Sequence, residues 1–400
     1  MGRTAHGVWG VEGRLPARSG IKVRFACKQM HLHKKLWAQT LCSNAKQGTV
    51  TDVSIKADTY PRAMLSSVTP IPPLSDLLDT ARVVSLPMRV RFRGVTARET
   101  VVFHGPAGWG EFGPFPEYED AEAASWLRAG IEVAWTGFPD PVRTRVPVNA
   151  TVPAVPAERV PEVLAGYGGA VHAVKIKVAE RGQSLADDVA RVAAVRAALP
   201  DAQLRVDANM GWSEDDAVCA LTTLSEFELA YAEQPVATVP GLAAVRRRLR
   251  GAGNKLLIAA DESVRKAQDP LAVARADAAD LVVVKVAPLG GVRRALEIVA
   301  QAGLPAVVSS AIDSSVGIRA GVALAAALPE LPYACGLGTL SLMTADVTAE
   351  PLRPVDGYLP VRDVAVSEDL VTEHAVTGPR RDWWLERISR TYEVLRGGDV

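Results

Sequence analysis

Two regimes of apolar spacing succeed one another along the chain. VVSLPMRVRF and then ETVVFHG alternate apolar with polar positions, the period-two pattern of strands with one buried face, and Gly94, Gly105, Pro106 and Gly108 supply turns between and after them. DAEAASWLRAGIEVAW follows with apolar residues at helical spacing, and the proline-rich break FPDPVRTRVP ends this unit near residue 145. A small α+β unit is therefore predicted first. From residue 146 short β-branched runs alternate with amphipathic helical stretches: VPVNATV (146–152), AVKIKV (173–178), LRVDAN (204–209), LAYAEQP (229–235), LLIAADES (256–263), LVVVKVAP (281–288), PAVVSSA (305–311) and YACGLGT (333–339). Helices such as SLADDVARVAAVRAAL, and GVRRALEIVAQAG with its stop at Gly303 and Pro305, separate them. Strand–helix repeats of this length predict a parallel sheet, and eight strands are what a closed β/α barrel requires. An open doubly wound sheet is the alternative, but NATVPAVP after the first run is not the glycine-rich phosphate turn that such a sheet would carry.

Composition narrows the partners. Of 400 residues 48% are apolar and 22% charged, with Lys+Arg 45 against Asp+Glu 45. That excludes a disordered chain and argues against nucleic acid or an anionic membrane surface as the main partner. No run reaches the roughly 18 apolar residues of a membrane span. Cys27, Cys42, Cys219 and Cys335 are scattered without CxxC pairs, which points to a reducing compartment rather than a disulfide framework or a zinc site. A soluble cytoplasmic protein acting on a small molecule is expected, with its oligomeric state open. Charge is uneven, since residues 1–63 hold 11 Lys+Arg and 3 Asp+Glu. This segment is expected to be a disordered N-terminal extension, or to lie upstream of a true start at Met64.

Charge interrupts the barrel strands at regular intervals. Lys175 and Lys177 lie in the second run, Asp207 and Asn209 end the third, Glu233 ends the fourth, Asp261 the fifth, and Lys285 stands in the sixth. The steps from Lys175 to Asp207, Glu233, Asp261 and Lys285 are 32, 26, 28 and 24 residues, one strand further round the ring each time. Strand ends converge on the carboxyl-terminal mouth of a barrel, so three carboxylates would meet there, and they repel unless a cation joins them. Oxygen ligands with no His or Cys nearby select a hard divalent ion, for which Mg²⁺ is suited. Lys175 and Lys177, two apart, face the same side, and each disfavours the other's charge, so that one can lose its proton near neutral pH. Lys285 arrives from across the ring. Together these suit removal of a proton beside a carboxylate, with the enediolate stabilised by the ion. Singly, a strand-end acid has the ordinary explanation of a cap and a strand lysine that of an edge residue; five in successive strands do not. His104 and His172 sit where neither can serve as a barrel base.

KIK (175–177), RVDANMGW (205–212), EQP (233–235), ADES (260–263) and KVAPLGG (285–291) resemble the enolase superfamily, muconate-lactonizing subgroup, from about residue 75 to about 360. Within it, SSAIDSSVG (309–317) and GLGT (336–339) are most similar to the o-succinylbenzoate synthase family. The resemblance implies a modified TIM barrel, (β/α)7β, over 141–341, with an α+β capping domain of 64–140 and a C-terminal segment, 342–400, returning to the cap. It implies Asp207, Glu233 and Asp261 as Mg²⁺ ligands. Lys177 would be the base, and then the acid, that dehydrates 2-succinyl-6-hydroxy-2,4-cyclohexadiene-1-carboxylate to o-succinylbenzoate in menaquinone biosynthesis; Lys285 would stabilise charge. Lys175 and Asn209 are implied as supporting residues. Ser309, Ser310 and the backbone N–H groups of Gly336 and Gly338 are implied to carry the succinyl tail. VRFRG (90–94) and GEFGPFPEY (110–118) are expected either to close the mouth as a lid or to pack as plain loops. N-succinylamino acid racemisation needs the same machinery and stays open, as does a silent barrel used only for binding. Dipeptide epimerases, with an acidic pair where this chain has CGLG, and sugar-acid dehydratases, with a His/Asp dyad, fit less well.

Overall fold

A computed structural model describes residues 69–92, 94–265 and 270–398. The expectations for residues 1–63 lie outside the described residues. Three strands, β1 (Arg82–Phe92), β2 (Val95–Gly105) and β3 (Gly108–Phe112), form the antiparallel meander that the alternation predicts. Helix Asp120–Ile131 lies against it, with Trp126 edge-on to Phe115 and Tyr118. The long helix Gly378–Gly397 returns to the same unit: Trp384 stacks edge-to-face on Phe112 with centroids 6.1 Å apart, and Arg387 donates to the Phe115 carbonyl at 3.1 Å.

Helix and sheet approach each other most closely where neither has a side chain. A Cβ on Gly110 would stand 2.2 Å from the Gly130 carbonyl oxygen, and one on Gly130 would stand 2.6 Å from that of Glu111. Backbone cannot yield as a flexible side chain can. Gly110→Ala is expected to cost about 1–3 kcal/mol through overpacking, read as a lower denaturant midpoint at unchanged slope.

β4 (Arg145–Pro147) pairs antiparallel with Tyr358–Pro360, and the second regime then folds as a parallel sheet of β5 (Ala150–Val152), β6 (Ala173–Lys177), β7 (Gln203–Asp207), β8 (Leu229–Glu233), β9 (Leu257–Ala260), β10 (Leu281–Val284) and β11 (Ala306–Val308), adjacent in chain order. Helices between them start and stop where predicted; Ser184 and Asp187 form a capping box, and Gly303 closes Val292–Ala302 in a left-handed conformation. The eighth run differs from expectation. Residues 333–339 form only single parallel bridges, Val148↔Cys335 and Ser309↔Gly336, but these join both edges of the sheet and close the ring. Backbone bonds from Asn149 to Cys335 (2.9 Å), Cys335 to Pro147 (2.8 Å) and Gly336 to Val308 (2.8 Å) complete the closure. Two glycines in CGLG give a strand little to pack, and at Gly338 the chain already turns into a short helix, Gly338–Leu342.

Alternation along each strand sorts the interior into layers. Arg205, Tyr231, Ala259, Val283 and Val307 are all buried one inward step below Asp207, Glu233, Asp261, Lys285 and Ser309. The lower layer is a packed floor, with the Arg205 guanidinium 5.1 Å from the Tyr231 ring centroid and bonded to the Ala334 carbonyl. The upper layer is polar.

Candidate active site

In-register pairing sets the upper layer side by side. Lys177 pairs with Asp207, Asp207 with Glu233, and Glu233 with Ala259, two residues before Asp261. Lys175, Lys177, Asp207, Glu233, Asp261 and Lys285 are all less than 10% exposed, as charges rarely are unless paired. Lys175 Nζ reaches Glu233 Oε1 at 3.1 Å and Asp207 Oδ2 at 3.4 Å. Lys177 Nζ lies 2.5 Å from Asp207 Oδ2 and 2.6 Å from Asn209 Oδ1. Lys285 Nζ lies 2.6 Å from Asp261 Oδ2. Strands β6 and β10 are four steps apart in an eight-position ring, so Lys177 and Lys285 face each other across the mouth.

The electrostatics follow from this crowding. Burial and the charges of Asp207 and Asp261 push the Glu233 carboxyl up to about 8. Asp207, equally buried, is held well below the carboxylate range because Lys177 and Lys175 outweigh the burial. Lys175 departs from the expectation that paired lysines weaken each other's charge: burial lowers its pKa, but Glu233 and Asp207 more than reverse this and hold it above the ordinary lysine value.

Among the described residues no three His, Cys, Asp or Glu side chains are gathered closely enough to enclose one ion; the lysine ammonium groups stand between the carboxylates. The donor set nonetheless fits a hard divalent cation. Asp207, Glu233 and Asp261 offer only oxygen, come from three adjacent strands, and are near enough for the charges of the other two to raise Glu233.

Neighbouring residues fix these groups in place. Asn209, left-handed at φ 43°, orients Lys177 and donates to Glu262 Oε1 at 3.2 Å. Gln234 accepts from the N–H groups of Asp261 (2.9 Å) and Ser263 (3.2 Å), holding the turn that carries the third carboxylate. Arg191 bonds the Lys177 carbonyl at 2.8 Å. Sequence reasoning missed Gln234, Glu262 and Arg191; the first two lie inside the EQP and ADES motifs, whereas nothing in the sequence distinguishes Arg191 from a surface helix residue.

A cavity opens above Lys177 and Lys285, walled by Ser309, Ser310, Ile312 and Thr339 and roofed by Phe92, whose ring centroid lies 5.6 Å from Lys177 Nζ. Ser309 and Ser310 stand where expected, with Ser310 Oγ bonded to the Gly336 carbonyl and to Thr339 Oγ1, each at 2.8 Å. The glycines do not take their expected role. The Gly336 N–H is committed to Val308, and its missing side chain instead leaves room for Ser309 Oγ, 2.5 Å from where a Cβ would be. Gly338 is not on the cavity wall and lets the chain pass the Asn149 carbonyl, Pro354 and Tyr167. Of the two candidate lid segments, GEFGPFPEY is a packing loop, with Phe115 and Tyr118 buried. Phe92 from the other borders the cavity, while position 93 lies outside the described residues.

Behind Lys285 a second cavity is lined by Glu111 from β3 and Asp313 from the loop after β11. Burial, and then the charge of Asp313, push Glu111 up to about 7 from an ordinary 4.5, against the opposing pull of Arg98; Asp313 is raised by its own burial, against Arg98 and Lys285. The folded state therefore holds a proton that the unfolded chain has released, so this pair lowers stability as pH rises from about 4.5 to about 7 and adds no further slope above that. In denaturation at pH 5 and pH 7.5, Glu111→Gln is expected to flatten that decline.

Family models match residues 83–134 as enolase N-terminal domain-like and residues 157–365 as enolase C-terminal domain-like. The chain is 57% identical over 326 residues to the o-succinylbenzoate synthase of Mycolicibacterium smegmatis (strain ATCC 700084 / mc(2)155), covering 81% of this chain and 99% of that one. It is 56% identical to that of Mycobacterium leprae (strain TN), covering 81% and 95%. Among solved structures it superimposes on the 2-chloromuconate cycloisomerase of Rhodococcus opacus 1CP (TM-score 0.63, 24% identity, 74% of this chain and 98% of that one). It also superimposes on the muconate lactonizing enzyme of Pseudomonas putida (TM-score 0.62, 20% identity, 74% and 98%); both likenesses speak to the fold. With both domain models matched and more than half of the aligned residues shared with named relatives, the chain belongs to the o-succinylbenzoate synthase family of the enolase superfamily.

Proposed function

We propose that this protein dehydrates 2-succinyl-6-hydroxy-2,4-cyclohexadiene-1-carboxylate to o-succinylbenzoate, a step of menaquinone biosynthesis, in the cytoplasm and with Mg²⁺ as its divalent ion. The observation that carries the reading is the placement of Lys177 and Lys285 on opposite sides of one cavity, each beside a buried carboxylate. Asp207, Glu233 and Asp261 would hold the ion, which when bound supplies Lewis-acid polarisation of the substrate carboxylate. Lys177 Nζ, once unprotonated, takes the proton from the ring carbon bearing that carboxylate. The same Nζ then returns the proton to the departing hydroxyl, so the C–O bond breaks, water leaves and the ring becomes aromatic. The Lys285 ammonium meets charge developing on the carboxylate from the other side and exchanges no proton. Lys175 keeps its charge and steadies Glu233 and Asp207.

Ser309 and Ser310, with Thr339 beside them, border the space for the succinyl tail, and Phe92 shields it from water. In the division of labour proposed here residues 141–341 supply the catalytic mouth, while 64–140 and 342–400 cover it. The test is conversion of the cyclohexadiene by purified protein with Mg²⁺, followed by ultraviolet absorbance of the product. Failure to turn it over, alongside exchange of the α-hydrogen of N-succinylamino acids into deuterated water, would move the assignment to a racemase.

A further inference from the structure

Ile312 sits in the loop joining β11 to helix Ser315–Ala327 with φ at 64°. A β-branched residue is strained there, and such a conformation persists only where its surroundings over-determine it. The loop's other members, Ser309 to Ala311, form one wall of the catalytic cavity together with Ile312 itself. The loop holds itself in part, Asp313 Oδ2 accepting from Ala311 N–H at 3.0 Å, and the cap supplies further bonds. Arg98, in β2 and 2% exposed, donates from Nε to the Ile312 carbonyl at 3.2 Å, while its Nη2 is bonded to the Gly113 carbonyl and its guanidinium lies 4.4 Å from the Phe115 ring centroid. Glu111, in β3, takes up the start of the helix: Oε2 accepts from Ser314 Oγ (2.5 Å) and Gly317 N–H (2.9 Å), and Oε1 from Ser314 N–H (3.3 Å) and Thr100 Oγ1 (3.1 Å). A carboxylate at a helix N-terminus satisfies donors that the helix cannot. Here it is delivered from the other unit, and it adds to the helix's own cap, Ser314, whose Oγ accepts from Val316 N–H at 3.2 Å. Gly317 leaves it room, since a Cβ there would lie 3.0 Å from Glu111 Oε2.

We infer that Arg98 and Glu111 are positioning residues, a clamp by which the cap imposes the strained conformation at Ile312 and so places the Ser309–Ile312 wall against the substrate. Both grip the loop at its backbone and helix start, on either side of the strained residue. Neither touches the cavity above Lys177, so their influence on substrate passes through the wall. The inference rests on the function proposed above for its kinetic arm only.

Glu111→Gln keeps the size of the side chain but, at pH 8, where Glu111 has released its proton, places an N–H donor among donors. It is expected to raise KM for the cyclohexadiene by about tenfold while kcat changes by no more than about threefold. Amides of 309–317 are expected to exchange at least about tenfold faster in that variant, without substrate present. Ile312→Gly relieves the strain, so in its background Glu111→Gln is expected to alter KM by less than about twofold. Additive effects on KM, or unchanged exchange in the loop, overturn the clamp. Should Glu111→Gln fail to fold, Arg98→Lys, which retains charge but not the guanidinium geometry, carries the same expectations and the same overturning results. Wild-type protein inactive on the cyclohexadiene sinks the proposed function, and loop exchange still decides the clamp.

Discussion

Turnover by Lys177→Ala is expected to fall by about 10³–10⁴-fold, the upper part of the range for loss of a positioned acid–base group, with the folded state retained. The sharper comparison is with arginine. A guanidinium keeps the positive charge beside Asp207 but does not release a proton in a protein, so Lys177→Arg is expected to be as inactive as the alanine variant. At Lys285, 2.6 Å from Asp261, the proposed role is charge alone, so Lys285→Arg is expected to keep at least about ten times the activity of Lys285→Ala. The measurement is kcat by product absorbance for the four variants, with circular dichroism to establish folding. Equal loss in Lys285→Arg and Lys285→Ala would make Lys285 a proton-transfer group and favour two-base chemistry. Substantial activity in Lys177→Arg would remove Lys177 as the base.

Chelation is expected to lower turnover by at least about 10³-fold, as loss of several kcal/mol of charge stabilisation requires, and added Mg²⁺ is expected to restore it. Asp261→Asn should remain inactive after Mg²⁺ is restored and should bind the ion more weakly in calorimetric titration. The reason lies in the crowding: three carboxylates are buried on adjacent strands, and burial first, then repulsion from Asp207 and Asp261, pushes Glu233 up to about 8, which the buried lysines offset only in part. An ion that joins them replaces that repulsion with attraction. Full turnover in exhaustively chelated protein would exclude the metal role. Tight Mg²⁺ binding by Asp261→Asn would remove Asp261 from the ligand set.

The clustering of the candidate site residues was legible because a charged residue within an apolar strand run has few places to go. Lys175 and Lys177, two apart in AVKIKV, had to share a face; the carboxylates ending the next three runs had to meet at one rim once the runs were parallel and in order. The roles of Gly336 and Gly338 were not legible, because which N–H groups are free depends on how the last run closes the ring, and here the Gly336 N–H is spent on Val308. The clamp was still less so. Glu111 and Ser314 are 203 positions apart, and Arg98 and Ile312 are 214 apart.

Local periodicity, strand order and the identity of the metal-type and lysine residues belonged to the sequence, since each is set by spacing along the chain and by side-chain chemistry. Protonation, by contrast, was decided only in three dimensions. Lys175 stays charged because two carboxylates from other strands outweigh its burial, a sum over neighbours that no local pattern contains. The same holds for the loop at Ile312, where side chains from a separate sheet converge on either side of a strained backbone.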